Sequence, residues 1–152
     1  MYYAAWGSIN KIGMDGSNKT TLVTGQGLIQ PWGVTIDFST SKIFWADRLG
    51  HRIESSNLDG DERTVVNSAE NGPHGVAVLN GRIYWGEHRN KRLESSTIEG
   101  KDVITFLTEV DYIKDLTVVP DLSLPQNRTN HCAKQNCDKV CVLTAASYRC
   151  LT

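Results

Sequence analysis

The chain has 152 residues, 39% of them hydrophobic, with 16 Lys and Arg set against 17 Asp and Glu. That length holds one ordinary domain, or one domain and a small module. The charge balance argues against nucleic-acid binding and against docking on an acidic membrane, since both need clustered positive charge. Residues 1–20 lack a charged start followed by an apolar core, so no signal peptide is read there, and no apolar run is long enough to span a bilayer.

The chain opens on Met1-Tyr2-Tyr3-Ala4-Ala5-Trp6, and a related stretch returns as Ile43-Phe44-Trp45-Ala46-Asp47 and again as Ile83-Tyr84-Trp85-Gly86-Glu87. Other anchors recur in the same order. Ile53 to Leu93, and Asp59-Gly60 to Glu99-Gly100, are 40 residues apart; Asp15-Gly16 to Asp59-Gly60 is 44; Pro31-Trp32-Gly33 to Pro73-His74-Gly75 is 42. A period near 40 residues is the mark of a repeat architecture. One unit reads as four short strands: Val34–Asp37, Ile43–Ala46, Arg52–Leu58 and Arg63–Val66, with Asp59-Gly60 as the last turn. The next reads as Gly75–Leu79, Arg82–Gly86, about Arg92–Ile98 and Val103–Leu107, with Asn80-Gly81 supplying the positive φ angles of a tight hairpin. The motif strands are apolar almost without break, which predicts burial on both faces. Asp115–Val119 reads as a lone further first strand. No segment has a sustained helical period, so the chain is expected to be all-β, and four-stranded units in series are the pattern of propeller blades.

All four cysteines, Cys132, Cys137, Cys141 and Cys150, fall in the last 21 residues. An even, crowded set reads as a disulfide module from an oxidising compartment. Zinc ligation is the alternative, although no Cys-x2-Cys pair is present. A disulfide module with no export signal is expected to be part of a longer secreted or membrane-anchored chain.

Phe44-Trp45-Ala46-Asp47 and Tyr84-Trp85-Gly86-Glu87 resemble the YWTD repeat of the low-density lipoprotein receptor family. Arg52 to Thr64 and Pro73 to Val78 resemble the stretches that accompany it. The resemblance covers about residues 1–119 and implies a partial six-bladed propeller of about three blades, its C-terminal half. Cys132-x4-Cys137-x3-Cys141-x8-Cys150 resembles the start of an EGF-like module. Residues 120–130 are then a linker and 131–152 a truncated EGF-like module. The resemblance implies the pairs Cys132–Cys141 and Cys137–Cys150, and Thr129-Asn130-His131 lacks the acidic residues of calcium-binding modules, so no calcium is expected. The copies depart from the family at Ala4 and Ala5, which stand where it has Thr and Asp, and at Glu87. The motif Asp is implied to hold neighbouring backbone. A half-ring leaves strand edges and a blade face uncovered, so residues 1–152 alone are expected to be poorly stable and to associate.

Propeller strand order brings the residues before the first strand and after the second to one face: Trp6, Trp32, Arg48, His51, His74, Glu87, His88, Arg89 and Lys114. Trp and Arg favour interface hot spots, and the resemblance implies protein ligands on this face. Packing around the central channel is the other role open to Trp32 and His74. The expected function is that of an extracellular segment of an endocytic receptor. Its cargo would be lipoprotein, vitellogenin-like or other secreted protein, its parent chain would be membrane-anchored, and it would cycle through endosomes. His51, His74 and His88 are candidates for acid-dependent release. A nidogen-like matrix protein is the alternative. A propeller hydrolase is weaker still: there is no Gly-x-Ser-x-Gly, and Lys114 at the channel mouth would repel a metal. No catalytic residue, metal or cofactor is expected. Asn18-Lys19-Thr20 and Asn127-Arg128-Thr129 are glycosylation sequons, with Asn18 expected on the opposite face.

Overall fold

The computed structural model describes residues 1–69, 71–110 and 113–118, and the backbone of 140–143 and 148–151. Asn127, Cys132, Cys137 and the 120–130 linker lie outside them. Every regular element among the described residues is a strand. The first sheet holds β1 (Tyr2–Ala5), β2 (Ser8–Lys11) and β3 (Thr20–Thr24), in that order. The second holds β4 (Pro31–Asp37), β5 (Lys42–Asp47), β6 (Arg52–Asn57) and β7 (Thr64–Ser68). The third repeats this with β8 (Pro73–Leu79), β9 (Arg82–Glu87), β10 (Arg92–Thr97) and β11 (Ile104–Leu107). All neighbours are antiparallel, as in propeller blades. A separate hairpin pairs β12 (Val140–Leu143) with β13 (Tyr148–Leu151) and sets Cys141 opposite Cys150 in register.

The motif strands are buried on both faces, and the pleat divides their side chains between two cores. Ile43 and Trp45 pack with Ile9, Val23 and Leu28 of the first sheet. Phe44 and Ala46 point the other way, into a cluster with Val76, Ile83 and Trp85 of the third sheet. Tyr84 then points onward to Leu93, Ile113 and Leu116. Each core thus lies between successive blades, which is why the motif strands run apolar almost without break.

The glycines of the Asp59-Gly60 and Glu99-Gly100 turns have a second duty. Both have positive φ, and a Cβ on Gly60 would sit 2.5 Å from the Leu22 carbonyl oxygen in β3. A Cβ on Gly100 would collide with the Val66 carbonyl in β7. Each turn therefore docks backbone-to-backbone on the outer strand of the preceding blade. Gly16 has the same φ sign but open space around it. Gly16→Ala should cost about 1 kcal/mol of backbone strain, whereas Gly60→Ala and Gly100→Ala should each cost about 3 kcal/mol because overpacking adds to the strain. Urea unfolding followed by the fluorescence of the buried Trp45 and Trp85 measures this; three equal losses would refute the docking role.

The first strands start earlier than the sequence suggests, at Pro31 and Pro73, and both are bulged against their partners at the next two residues. Asp115–Val118 is not a strand, and Val119 lies outside the described residues. A strand needs a hydrogen-bonded neighbour, and no described strand pairs with this segment. It nevertheless occupies the next first-strand place. A Cβ on Gly33 would meet Val76 N at 2.9 Å, and one on Gly75 would meet Leu116 N at 2.5 Å, so the segment stands to β8 as β8 stands to β4.

Candidate functional site

The close approach of these inner segments shapes one end of the molecule. Glycine after Trp32 and after His74 lets the backbones crowd, and the bulges turn both preceding side chains to the same end. Trp32 stacks on His74 with ring centroids 5.3 Å apart, and His74 stacks on His88 at 5.1 Å. Trp32 is half exposed, whereas His74 is only 6% exposed. The His74 Nδ1 lies 3.1 Å from the Ile113 carbonyl. A carbonyl can only accept, so Nδ1 carries the proton and donates. Nε2 is buried with no hydrogen-bond partner.

Beside this stack a cleft opens between the second and third blades, lined by Arg48, Leu49, His51, Gly72, His88 and Arg89. Arg48 Nη1 donates to Gln30 Oε1 at 3.1 Å. Trp32, His74 and His88 thus form one continuous group, with Arg48, His51 and Arg89 adjoining it through His88. Trp6 is 72% exposed and tied to this end by the bond from Gly7 N to the Ile29 carbonyl. Lys114 is exposed and follows Ile113, the partner of His74.

Two residues read as face groups are withdrawn from the surface. Glu87 is 3% exposed, and burial, joined by repulsion from Glu94, pushes its carboxyl above the usual range. Its counterpart Asp47 is fully buried and works as a backbone clamp, accepting from Ile29 N at 3.0 Å, Gln30 N at 2.8 Å and Gly50 N at 3.0 Å. Glu87 accepts instead from the Asn90 side-chain amide at 3.3 Å and from that of Asn71. Because its folded pKa is raised, ionised Glu87 costs stability at neutral pH, and the cost fades as pH falls through that pKa. Glu87→Gln should therefore be more stable than the parent at pH 7, with the difference shrinking on acidification. A gain that persists unchanged into acid would contradict this. His74 is also held off the surface. Burial, then the charges of Arg48 and His88, lower its pKa. It therefore resists protonation more than an exposed imidazole does.

Sequence reading overlooked a polar network below the surface. Glu54, 1% exposed, accepts from Arg52 Nε at 2.7 Å and from Arg63 Nε at 2.6 Å and Nη2 at 3.0 Å. The same arginines donate to the carbonyls of Gly27 at 2.8 Å and Gly25 at 3.0 Å, tying the second blade to the first. The signal was present as two charges alternating through an otherwise buried strand.

No protein-family model matches the chain. A vitellogenin receptor of Solenopsis invicta is 39% identical over 69 residues, covering 43% of this chain and 4% of the receptor. Protein cueball of Drosophila yakuba is 35% identical over 77 residues, covering 48% of this chain and 12% of that protein. The chain therefore spans only a small part of either relative. Among solved structures, a chain of a nidogen/laminin complex superposes with a TM-score of 0.68 at 26% identity, covering 74% of this chain and 44% of that one.

Proposed function

From a chain that carries YWTD propeller blades of the low-density lipoprotein receptor family, we propose an extracellular protein-binding segment that holds secreted partners at the Trp32–His74–His88 end. The stacked aromatic group beside a cleft is the observation that carries this reading. A rigid, half-exposed Trp backed by two rings is the kind of anchor that dominates interfaces. The likeness to a vitellogenin receptor supports placing the segment in the ectodomain of a receptor that takes up yolk-type cargo and cycles through endosomes. The nidogen neighbour favours a second reading, a matrix protein held to laminin.

Purified vitellogenin and laminin, each titrated against the full-length ectodomain by surface plasmon resonance, separate the two. Trp32→Ala should weaken the binding partner at least about tenfold, as expected for an interface hot spot. Binding of neither protein, or binding indifferent to Trp32, would reject the proposal.

The same reading makes 1–119 the propeller, 120–130 a linker and 131–152 a truncated EGF-like module containing the β12–β13 hairpin. Cys132–Cys141 and Cys137–Cys150 are the pairs to expect, and non-reducing peptide mapping tests them; a Cys141–Cys150 bridge would exclude the module. Asn18 is exposed in the β2–β3 turn. A glycan there, and one at Asn127, would show as a mass loss on enzymatic deglycosylation.

A further inference from the structure

We propose that Asn80-Gly81, at the tip of the β8–β9 hairpin, is a site of spontaneous deamidation, where water converts the asparagine to aspartate and isoaspartate. The chemistry is independent of what the segment binds. Four peptide bonds of the chain join Asn or Asp to glycine: Asp15-Gly16, Asp59-Gly60, Asn71-Gly72 and Asn80-Gly81. Glycine matters because no side chain shields its nitrogen, which is the attacking atom. That nitrogen attacks only after losing its proton, so a hydrogen bond that occupies the N–H protects the pair.

In three of the four pairs the glycine N–H is occupied. Gly16 N donates to the Gly13 carbonyl at 3.0 Å, Gly60 N to that of Asn57 at 3.2 Å and Gly72 N to that of Ala69 at 3.3 Å. Asn71 is restrained further, since its side-chain amide is held by the Glu87 carboxyl and Gly72 is buried. At Asp15 and Asp59 the side chain is a carboxylate, with no ammonia to expel.

Asn80-Gly81 has none of these restraints. The two residues are the whole loop between Leu79 and Arg82, which pair in register. Both have positive φ, 49° and 74°, as a mirror-image hairpin turn requires. In such a turn the closing hydrogen bond joins the flanking residues. The Gly81 N–H makes no hydrogen bond among the described residues. Asn80 and Gly81 are both exposed, and a Cβ on Gly81 would meet nothing within 4 Å, so a ring has room to close.

The deprotonated Gly81 nitrogen bonds to the side-chain carbonyl carbon of Asn80. The bond from that carbon to Nδ2 breaks, and ammonia leaves, taking up through solvent the proton that Gly81 gave. Water then adds to either carbonyl of the succinimide and opens it. One opening leaves an aspartyl residue. The other leaves an isoaspartyl residue, whose main chain runs through the side-chain carbons and is a methylene longer. A two-residue turn has no slack to absorb that length. The 3.2 Å bond from Ile98 N to the Gly81 carbonyl, which ties this tip to the end of β10, is then lost.

The test holds the full-length ectodomain in mildly alkaline buffer made with heavy-oxygen water, then digests it in ordinary water and maps the label by mass spectrometry. An isoaspartate methyltransferase marks the isoaspartyl product. In the folded protein, label should enter at Asn80 about tenfold faster than at Asn71, the scale on which one hydrogen bond separates two rates. In denaturant, where both Asn-Gly pairs are free, the two rates should converge. Amide exchange at Ile98 should rise with the label in the parent and stay constant in Asn80→Gly, which keeps the positive φ and lacks the reacting amide. Equal rates at Asn71 and Asn80 in the folded protein, or a difference that survives unfolding, would overturn the proposal. So would an Asn80 that stays unlabelled in the fold while the denatured chain reacts there.

Discussion

Asp47→Ala should lose about 4 kcal/mol of stability, among the larger effects a single substitution produces. The carboxylate accepts three backbone N–H groups from two loops, at 3.0, 2.8 and 3.0 Å, and is fully buried. Hydrogen bonds to an ionised acceptor contribute about 1.5–3 kcal/mol each, and removing the acceptor strands buried donors. Arg52 Nη2, 3.8 Å from Oδ2, would lose part of its counter-charge as well. Asp47→Asn keeps one acceptor oxygen and should lose roughly half as much. Because the clamped residues, Ile29 and Gln30, lead into β4 and carry Trp32 to its stack, amide hydrogen exchange at 29–32 should rise in step with the loss. A cost below about 1 kcal/mol would mean that the loop holds without its clamp.

The blades were legible because the nearly unbroken apolar runs of Ile43–Asp47 and Ile83–Glu87 call for burial on both faces, and because the spacing repeats. The inner ends of β4 and β8 were less so. Pro31-Trp32-Gly33 and Pro73-His74-Gly75 read as approaches to a strand, yet the ladder reaches back to each Pro across a bulge. That depends on glycine admitting a neighbouring backbone, which no local pattern reports. The reverse error at Asp115–Val118 has the same origin: strand-forming residues make a strand only where a partner exists.

At the candidate site, Trp32, His74, His88, Arg48, His51 and Arg89 lie at one end, a placement that depends only on strand connectivity. Connectivity could not say which of these side chains face water. His74 is buried because Trp32 and His88 come from different blades to cover it, and Glu87 because it sits at a motif position already committed to the interior.

Glu54→Ala should cost about 4 kcal/mol, the scale of breaking a buried ion pair from one side. Two guanidinium groups, with side chains 23% and 12% exposed, would lose their shared counter-ion. Arg63 would lose a forked contact through Nε and Nη2, the geometry in which arginine binds carboxylate best. The third blade supplies the control. Glu94 holds the equivalent place, and its charged and hydroxyl partners among the described residues are Arg92, at 4.0 Å, and Thr105 Oγ1, at 3.2 Å, with Val103 where the second blade has Arg63. Arg92 is nearly half exposed, so solvent screens that pair, and Glu94→Ala should cost about 1 kcal/mol or less. The two losses, compared by urea unfolding, should therefore differ several-fold. Replacing Glu54, Arg52 and Arg63 together by apolar residues of similar volume should be less harmful than Glu54→Ala alone, since neither guanidinium is then left facing an empty site and Asp47, 3.8 Å from Arg52, keeps its three backbone N–H donors. If that triple replacement is as damaging as the single one, the network's worth lies in its bonds to the Gly25 and Gly27 carbonyls rather than in charge pairing.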